Sequence, residues 1–196
     1  MAAPIRTERG KWIQQGLRAL AADGPDAVRI EPLAQALGVT RGGFYWHFRD
    51  RRALLDEMLD TWEQVTTQDL RERLDREGGD AAAKLRRLLA LTSPRVVRLD
   101  LAVRDWARRD QAVAQRLKRV DNQRMDVLRS LFGARRADPG DIEARCLLAF
   151  SLLIGNYSIT ADHPGRSRDD VVELALAQLG SPSAVTGARP ASNSPA

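Results

Sequence analysis

Cysteine and histidine are almost missing from this 196-residue chain, which has one cysteine, Cys146, and two histidines, His47 and His163. A lone cysteine excludes an internal disulfide, and the three side chains together give no zinc-ligand spacing. Neither a structural metal nor a cofactor is expected. Long apolar runs are also lacking: the longest, Cys146 to Ile154, is broken by Ser151 and falls short of the about 20 residues that a membrane span needs. The first ten residues carry Arg6, Glu8 and Arg9 where a secretory signal would place its apolar stretch. A cytoplasmic protein without membrane contact is the expectation. No paired histidine and carboxylate motif, nucleophile elbow or phosphate loop occurs, so enzyme chemistry has no foothold. Runs of alternating β-branched residues are absent as well, and the expected fold class is all-α.

What the chain does contain is enough apolar material for a core, 43% of residues, and a formal charge of +5 that suits a polyanionic partner without proving one. Arginine supplies 28 of the 31 basic side chains. The excess is uneven: residues 84–136 hold 15 basic and 5 acidic residues, whereas residues 1–60 hold 9 and 8. Charge alone would point to the middle of the chain.

Helical punctuation is dense. Trp12, Ile13, Gly16, Leu17, Leu20 and Ala21 recur at steps of three and four, and Asp23-Gly24-Pro25 closes a first helix expected over Arg6 to Ala22. A second, short helix carries Leu33, Ala34 and Leu37 and stops at Gly38, whose missing Cβ permits positive φ. Val39 follows as an apolar plug, and Thr40 is placed to cap the next helix through its hydroxyl. Asp50 is a candidate N-cap for a long helix to about Arg76 that faces inward through Leu54, Leu55, Met58, Leu59, Trp62 and Val65, with Gly78-Gly79 as its break. Further helices are expected over Asp80–Thr92, Pro94–Arg109, Gln111–Phe132, Asp138–Thr160 and Ser167–Leu179. From Ser181 the composition is that of a disordered tail.

Helix, four-residue turn, helix is the helix-turn-helix plan, in which the second helix enters the DNA major groove. That helix begins Thr40-Arg41-Gly42-Gly43-Phe44-Tyr45-Trp46-His47-Phe48, with four of the chain's ten aromatics. Two adjacent glycines cost a helix about 2 kcal/mol relative to alanines, and close approach of the backbone to a partner would account for the penalty. Arg41 can contact guanine or phosphate, Thr40 and Tyr45 offer hydroxyls, and His47 offers a ring N–H. Phe44 and Phe48, four apart, belong to the core by periodicity. For Trp46 the usual burial of tryptophan favours packing beside the helix, with DNA contact as the other reading. Arg49, Arg51 and Arg52 follow, so residues 39–52 hold four arginines against one aspartate.

The stretch from Leu33 to Phe48, continued by Asp50-Arg51-Arg52-Ala53-Leu54-Leu55, resembles the DNA-binding domain of TetR-family transcriptional regulators over about residues 5–60. The resemblance implies a three-helix DNA-binding head over residues 1–52 and a helical ligand-binding and dimerisation body over 53–180, with 181–196 as the tail. It implies a homodimer on a palindromic double-stranded operator, in most members a repressor released by a small-molecule effector. It also implies DNA contact by Thr40, Arg41, Gly42, Gly43, Tyr45 and His47, with Arg51 on phosphate; Trp46 is carried beside them as a candidate contact. One departure is Val28-Arg29-Ile30-Glu31-Pro32, where the family commonly has a hydroxyl at the helix start. Arg29 could compensate by touching a phosphate.

Beyond residue 60 the resemblance gives little. Helical spacing and size mark Trp62, Leu88, Leu99, Val103, Trp106, Met125, Leu128, Phe132 and Tyr157 as candidate lining of an effector pocket. The basic excess invites an anionic effector on Arg98, Arg104 or Arg108, although charged helix faces are usually solvated. Leu148, Leu152 and Gly155, with Val172, Leu176 and Leu179, are the candidate dimer interface, two helices pairing with their symmetry mates. The rival reading keeps a DNA-binding dimer and replaces the effector with a partner protein or with constitutive action.

Overall fold

The computed structural model describes residues 8–68, 71–72, 81–91, 94–133 and 138–180. Among these residues the chain forms α-helices with one 3-10 turn and no strand. None of the helices is long and apolar enough to cross a membrane. The expected tail and the expected break at Gly78-Gly79 lie outside the described residues, and the long helix expected to reach about Arg76 ends instead at Thr66, with Thr67 as its C-cap.

Helix α1, Arg9–Asp23, buries Trp12, Gly16 and Leu20 at steps of four. It closes on Gly24 at φ 78°, whose N–H bonds to the Leu20 carbonyl at 3.0 Å. A 3-10 turn, Pro25–Ala27, leads into α2, Ile30–Ala36. Gly38, at φ 67°, then bonds its N–H to Gln35, and Val39 bonds back to Ala34 at 3.0 Å. This pair of bonds satisfies two carbonyls left over at the helix end and reverses the chain. The five residues of α3, Arg41–Tyr45, follow, and then α4, Arg51–Thr66. Asp50 caps α4 as expected by accepting from the Ala53 N–H at 2.8 Å. Thr40 sits at the N-cap of α3 in extended conformation, but its hydroxyl makes no cap bond, against the expectation.

The body comprises α5, Ala81–Leu91; α6, Pro94–Ala107; α7, Gln111–Phe132; α8, Pro139–Gly155; and α9, Arg168–Gly180. Asp110 and Asp138 cap α7 and α8 through their carboxylates. The expected extension of α8 to Thr160 does not form, because the Ser158 and Ile159 N–H groups both turn back onto the Gly155 carbonyl at 2.9 Å.

Two cores result. The first joins Trp12, Phe44 and Phe48 to Leu54, Leu55, Met58, Leu59 and Trp62 of α4, and continues into Val103 and Trp106 of α6 and Val113 and Val120 of α7. It runs across the expected boundary at residue 52 without interruption. Val65, expected to face inward, is exposed, and Thr66 takes the inward place, its hydroxyl donating to the Trp62 carbonyl at 2.6 Å. The second core holds Leu85 and Leu88 of α5, Leu128 and Phe132 of α7, Cys146 and Ala149 of α8 and Leu176 of α9. Helix α7, about 33 Å long at 1.5 Å per residue, reaches both cores and so acts as the spine.

Between the cores lies a polar junction. Asp100, 3% exposed, accepts from Arg124 at 2.7 Å and from Arg104 at 2.9 Å. Arg104 also grips both carboxylate oxygens of Asp121, at 3.0 and 2.7 Å. Towards α4, Arg116 bonds Asp60 at 2.5 Å and Glu63 at 2.9 Å. Towards α8, Arg129 meets Glu143 at 2.6 Å. Asp60, Glu63 and Glu143, which lie outside the middle segment, thus offset part of its basic excess. Burial alone would raise the Asp100 pKa, but the charges and hydrogen bonds of Arg124 and Arg104 outweigh it and hold the carboxyl below its usual range.

Removing Asp100 strands buried cations, so Asp100→Ala is expected to lower unfolding stability by about 3–5 kcal/mol in urea titration. Because the folded pKa is depressed, the Asp100 contribution is present above its unfolded pKa of about 4 and is lost as pH falls through the folded value. The deficit of the variant should therefore shrink in acid. A loss below 1 kcal/mol at neutral pH would show that the junction carries little stability.

Candidate nucleic-acid interface

Helix α3 is too short to stand alone, and its order comes from what lies beneath it. Phe44 is fully buried, edge-on to Trp12 with centroids 5.3 Å apart and stacked on Phe48 at 5.2 Å. Arg9 covers the Phe48 ring at 4.8 Å and is held there by Glu57. The expected inward placement of Phe44 and Phe48 therefore holds. Trp46 corrects the packing expectation, since it is 78% exposed. Two residues from each buried phenylalanine, it points the opposite way on a helical turn.

The outer face of α3 carries Arg41, Gly42, Tyr45 and Trp46, all exposed, with His47 half-buried against Phe48. Gly43 is half-buried, yet a Cβ built there meets nothing within 4 Å. At Gly42 such a Cβ meets only the Thr40 hydroxyl at 3.7 Å. Neither glycine has positive φ. Their choice therefore answers no demand of packing or backbone inside the chain. Contrast Gly16, where an added Cβ would lie 2.5 Å from the Met58 sulfur and where α1 and α4 need the closeness.

The arginines of this region divide. Arg51, expected on phosphate, is half-buried, and its guanidinium turns inward to donate to the Val28 carbonyl at 2.5 Å and to the Pro25 carbonyl. It ties the start of α4 to the turn before α2, adding a second donor to the Pro25 carbonyl, which already accepts from the Val28 N–H at 3.2 Å. Arg52 pairs with Asp56 at 3.2 Å and with the α7 cap Asp110 at 3.6 Å. Arg49 pairs with Asp50 at 2.9 Å. Arg29 is exposed at the N-cap of α2, without a cap bond. Arg41 meets Glu31 of α2 at 2.8 Å, a partner that sequence reasoning passed over. The available signal was the helix-turn-helix plan itself, which sets the starts of α2 and α3 side by side.

A model of the bacterial regulatory proteins of the tetR family matches residues 13–58, from α1 into α4. Over residues 13–58 the chain is similar to the TetR family of transcriptional regulators. Over 73 residues the chain is 33% identical to the HTH-type transcriptional regulator AcrR of Shigella flexneri, covering 37% of the chain and 34% of that protein. Over 53 residues it is 38% identical to the class G tetracycline repressor protein of Vibrio anguillarum, covering 27% and 25%. The matches thus span about a third or less of those relatives' own length. The whole fold is similar to that of the regulator FadR from Bacillus subtilis, solved in complex with stearoyl-CoA. The TM-score is 0.66 at 13% identity, over 89% of this chain and 98% of that one.

Tyr157 apart, the expected pocket residues are divided between the two cores. Trp62, Val103 and Trp106 are buried in the first core with Leu99 beside them, and Leu88, Leu128 and Phe132 in the second with Met125 beside them. Tyr157 is half-buried after α8. A groove of about 390 Å³ opens instead on the α6–α7 surface, over Ala107, Ala114 and Leu117 with Arg108 and Lys118 at its sides. Arg104, named for an anionic effector, is committed to Asp100 and Asp121. Of the expected interface, Leu148 is 59% exposed, while Leu152, Gly155, Val172 and Leu179 are half-buried. Leu176 differs: it is buried within the subunit, since α9 lays that residue against α5 and α8.

Since neither glycine is needed internally, Gly43→Ala is expected to stabilise the protein by about 0.5–1 kcal/mol in thermal denaturation. The same variant should bind duplex DNA more weakly in a shift assay, because the new methyl group enters the approach path. Unchanged DNA affinity would show that the open space at Gly43 serves no partner.

Proposed function

We propose that this protein is a TetR-family regulator and acts as a sequence-specific repressor on double-stranded DNA, reading the major groove with α3. The observation that carries the reading is the two-faced helix: phenylalanines anchored in the core beneath, and a glycine-opened surface with Arg41, Tyr45 and Trp46 above. Arg41 and the backbone at Gly42 and Gly43 read base edges, and Thr40, whose hydroxyl makes no cap bond, has its oxygen available for the same partner. Tyr45, Trp46, His47 and the exposed Arg29 meet the sugar-phosphate backbone. Arg51 acts from behind, fixing α2 relative to α4.

A homodimer on a palindromic operator follows if α8 and α9 pair with their symmetry mates. The apolar exposure of Leu147 and Leu148 on α8 and Leu174 on α9 supports that arrangement. Release by a small-molecule effector is the second part of the proposal. Its support is the junction between the cores, where the buried indole N–H of Trp62 has no acceptor among the described residues and Arg124 lies 5.7 Å above the ring. A buried donor left unpaired costs about 1–3 kcal/mol, which an acceptor-bearing ligand would recover. The effector must favour the DNA-incompetent state, because equal affinity for both states shifts nothing.

Arg41→Ala is expected to flatten sequence preference in competitive shift assays, whereas Arg29→Ala weakens all sequences alike and lowers the salt slope by about 1. Equal discrimination by Arg41→Ala and the parent removes Arg41 from the reading role. For the effector, a melting-temperature screen of metabolites should find a compound that stabilises the parent, by about 2.7 kcal/mol at a hundred times its Kd. That compound should also dissociate the DNA complex. A stabilising compound that leaves DNA binding intact would separate ligand binding from regulation, and the protein would then answer to a partner or to nothing.

A further inference from the structure

We propose that Glu31 is a positioning residue for Arg41, fixing which base pair α3 reads; the inference rests on the DNA-binding proposal above. The Glu31 carboxylate meets Arg41 Nη1 at 2.8 Å, and Arg41 Nη2 donates to the Tyr45 hydroxyl at 3.4 Å. The guanidinium is thus held from two directions, by α2 on one side and by the next turn of α3 on the other. Both members of the ion pair are more than half exposed. Such a pair adds little to stability and is weakened by salt. It also sets a carboxylate on the face that would meet a polyanion, where it opposes binding to any sequence. A surface shaped only for affinity would not hold an acid there.

Orientation is what the pair supplies. A guanidinium has five N–H donors in a rigid planar fork, and a bidentate base contact needs that fork in one plane and at one height. Arginine on an open surface loses its rotamer freedom on binding, whereas one already held between Glu31 and Tyr45 has lost much of it beforehand. The carboxylate has a second effect in the same direction. It partly neutralises Arg41 as a phosphate ligand, which leaves recognition to the geometry of the base edge. Glu31 therefore trades general affinity for discrimination, and the trade is read out at the base pair that Arg41 contacts.

The test is selection from a random duplex pool with the full chain as parent, Glu31→Ala and Arg41→Ala, followed by competitive shift assays on the enriched sequence and on unrelated duplex. Arg41→Ala should lose its preference at one base pair of each half-site. Glu31→Ala should lose about five- to tenfold in preference at that same base pair, while its affinity for unrelated duplex rises. Both variants should melt with the parent, as expected for exposed side chains. Unchanged preference at that base pair in Glu31→Ala, or a change at a different one, overturns the positioning role and leaves the DNA reading standing. A parent that enriches no sequence overturns the DNA reading itself, and this inference with it.

Discussion

The order of helix α3 depends on the burial of Phe44. Five residues with two glycines cannot hold helical shape in water, because nucleation is unfavourable and glycine adds to the cost. The order of α3 is imposed from below by Trp12, Phe48 and the first turn of α4, which Asp50 caps and Arg51 ties to the turn before α2. Once the phenylalanine is seated, the register of the helix is fixed, and with it the outward direction of Arg41, Tyr45 and Trp46. Which residues the outer face presents follows from contacts on the inner one.

The second organising feature is the basic spine α7. Its arginines sit opposite acids of α4, α6 and α8, in a seam that runs from Asp60 and Glu63 through Asp100 to Glu143. Asp60, Glu63 and Glu143 lie outside the basic middle segment, and only the fold sets them against its cations. Exposed members of the seam, such as Arg129 with Glu143, contribute little each. The junction at Asp100 is different, since its carboxylate and Arg124 are both shielded from water. There the pairing is a condition for burying the charges at all.

Legibility in the sequence followed the range of the interaction. Most helices, the glycine stops and the Asp50 cap are local, and they stand where spacing placed them, although α4 and α8 end earlier than expected. Phe44 and Phe48 were legible for the same reason, as a step of four on one face. What spacing could not give was the partner of a long side chain. Arg51 looks like any basic residue at a helix start, yet it reaches back 23 and 26 residues to carbonyls of another turn. Trp46 was judged by the average habit of tryptophan rather than by its two-residue offset from each buried phenylalanine. Glu31 was invisible as a partner because it belongs to another helix. The expected pocket residues fall in both cores for a similar reason: size and apolarity mark core residues and ligand-lining residues alike.

The continuity of the first core bears on how the body could speak to the head. Val103 and Trp106 of α6 lie in the same buried cluster as Phe44 and Trp12. Interiors are packed closely enough that a displaced side chain is felt by its neighbours rather than absorbed. Three residues before Val103 on the same helix, Asp100 anchors the polar junction, and Arg52 at the start of α4 reaches the α7 cap Asp110. A rearrangement of the junction that moves α6 must therefore either break the Asp100 pairing or carry Val103 and Trp106 with it. In the second case the seat of α3 shifts, and the direction of Arg41 shifts with the seat. No separate linkage between body and head is required, because the two already share one core.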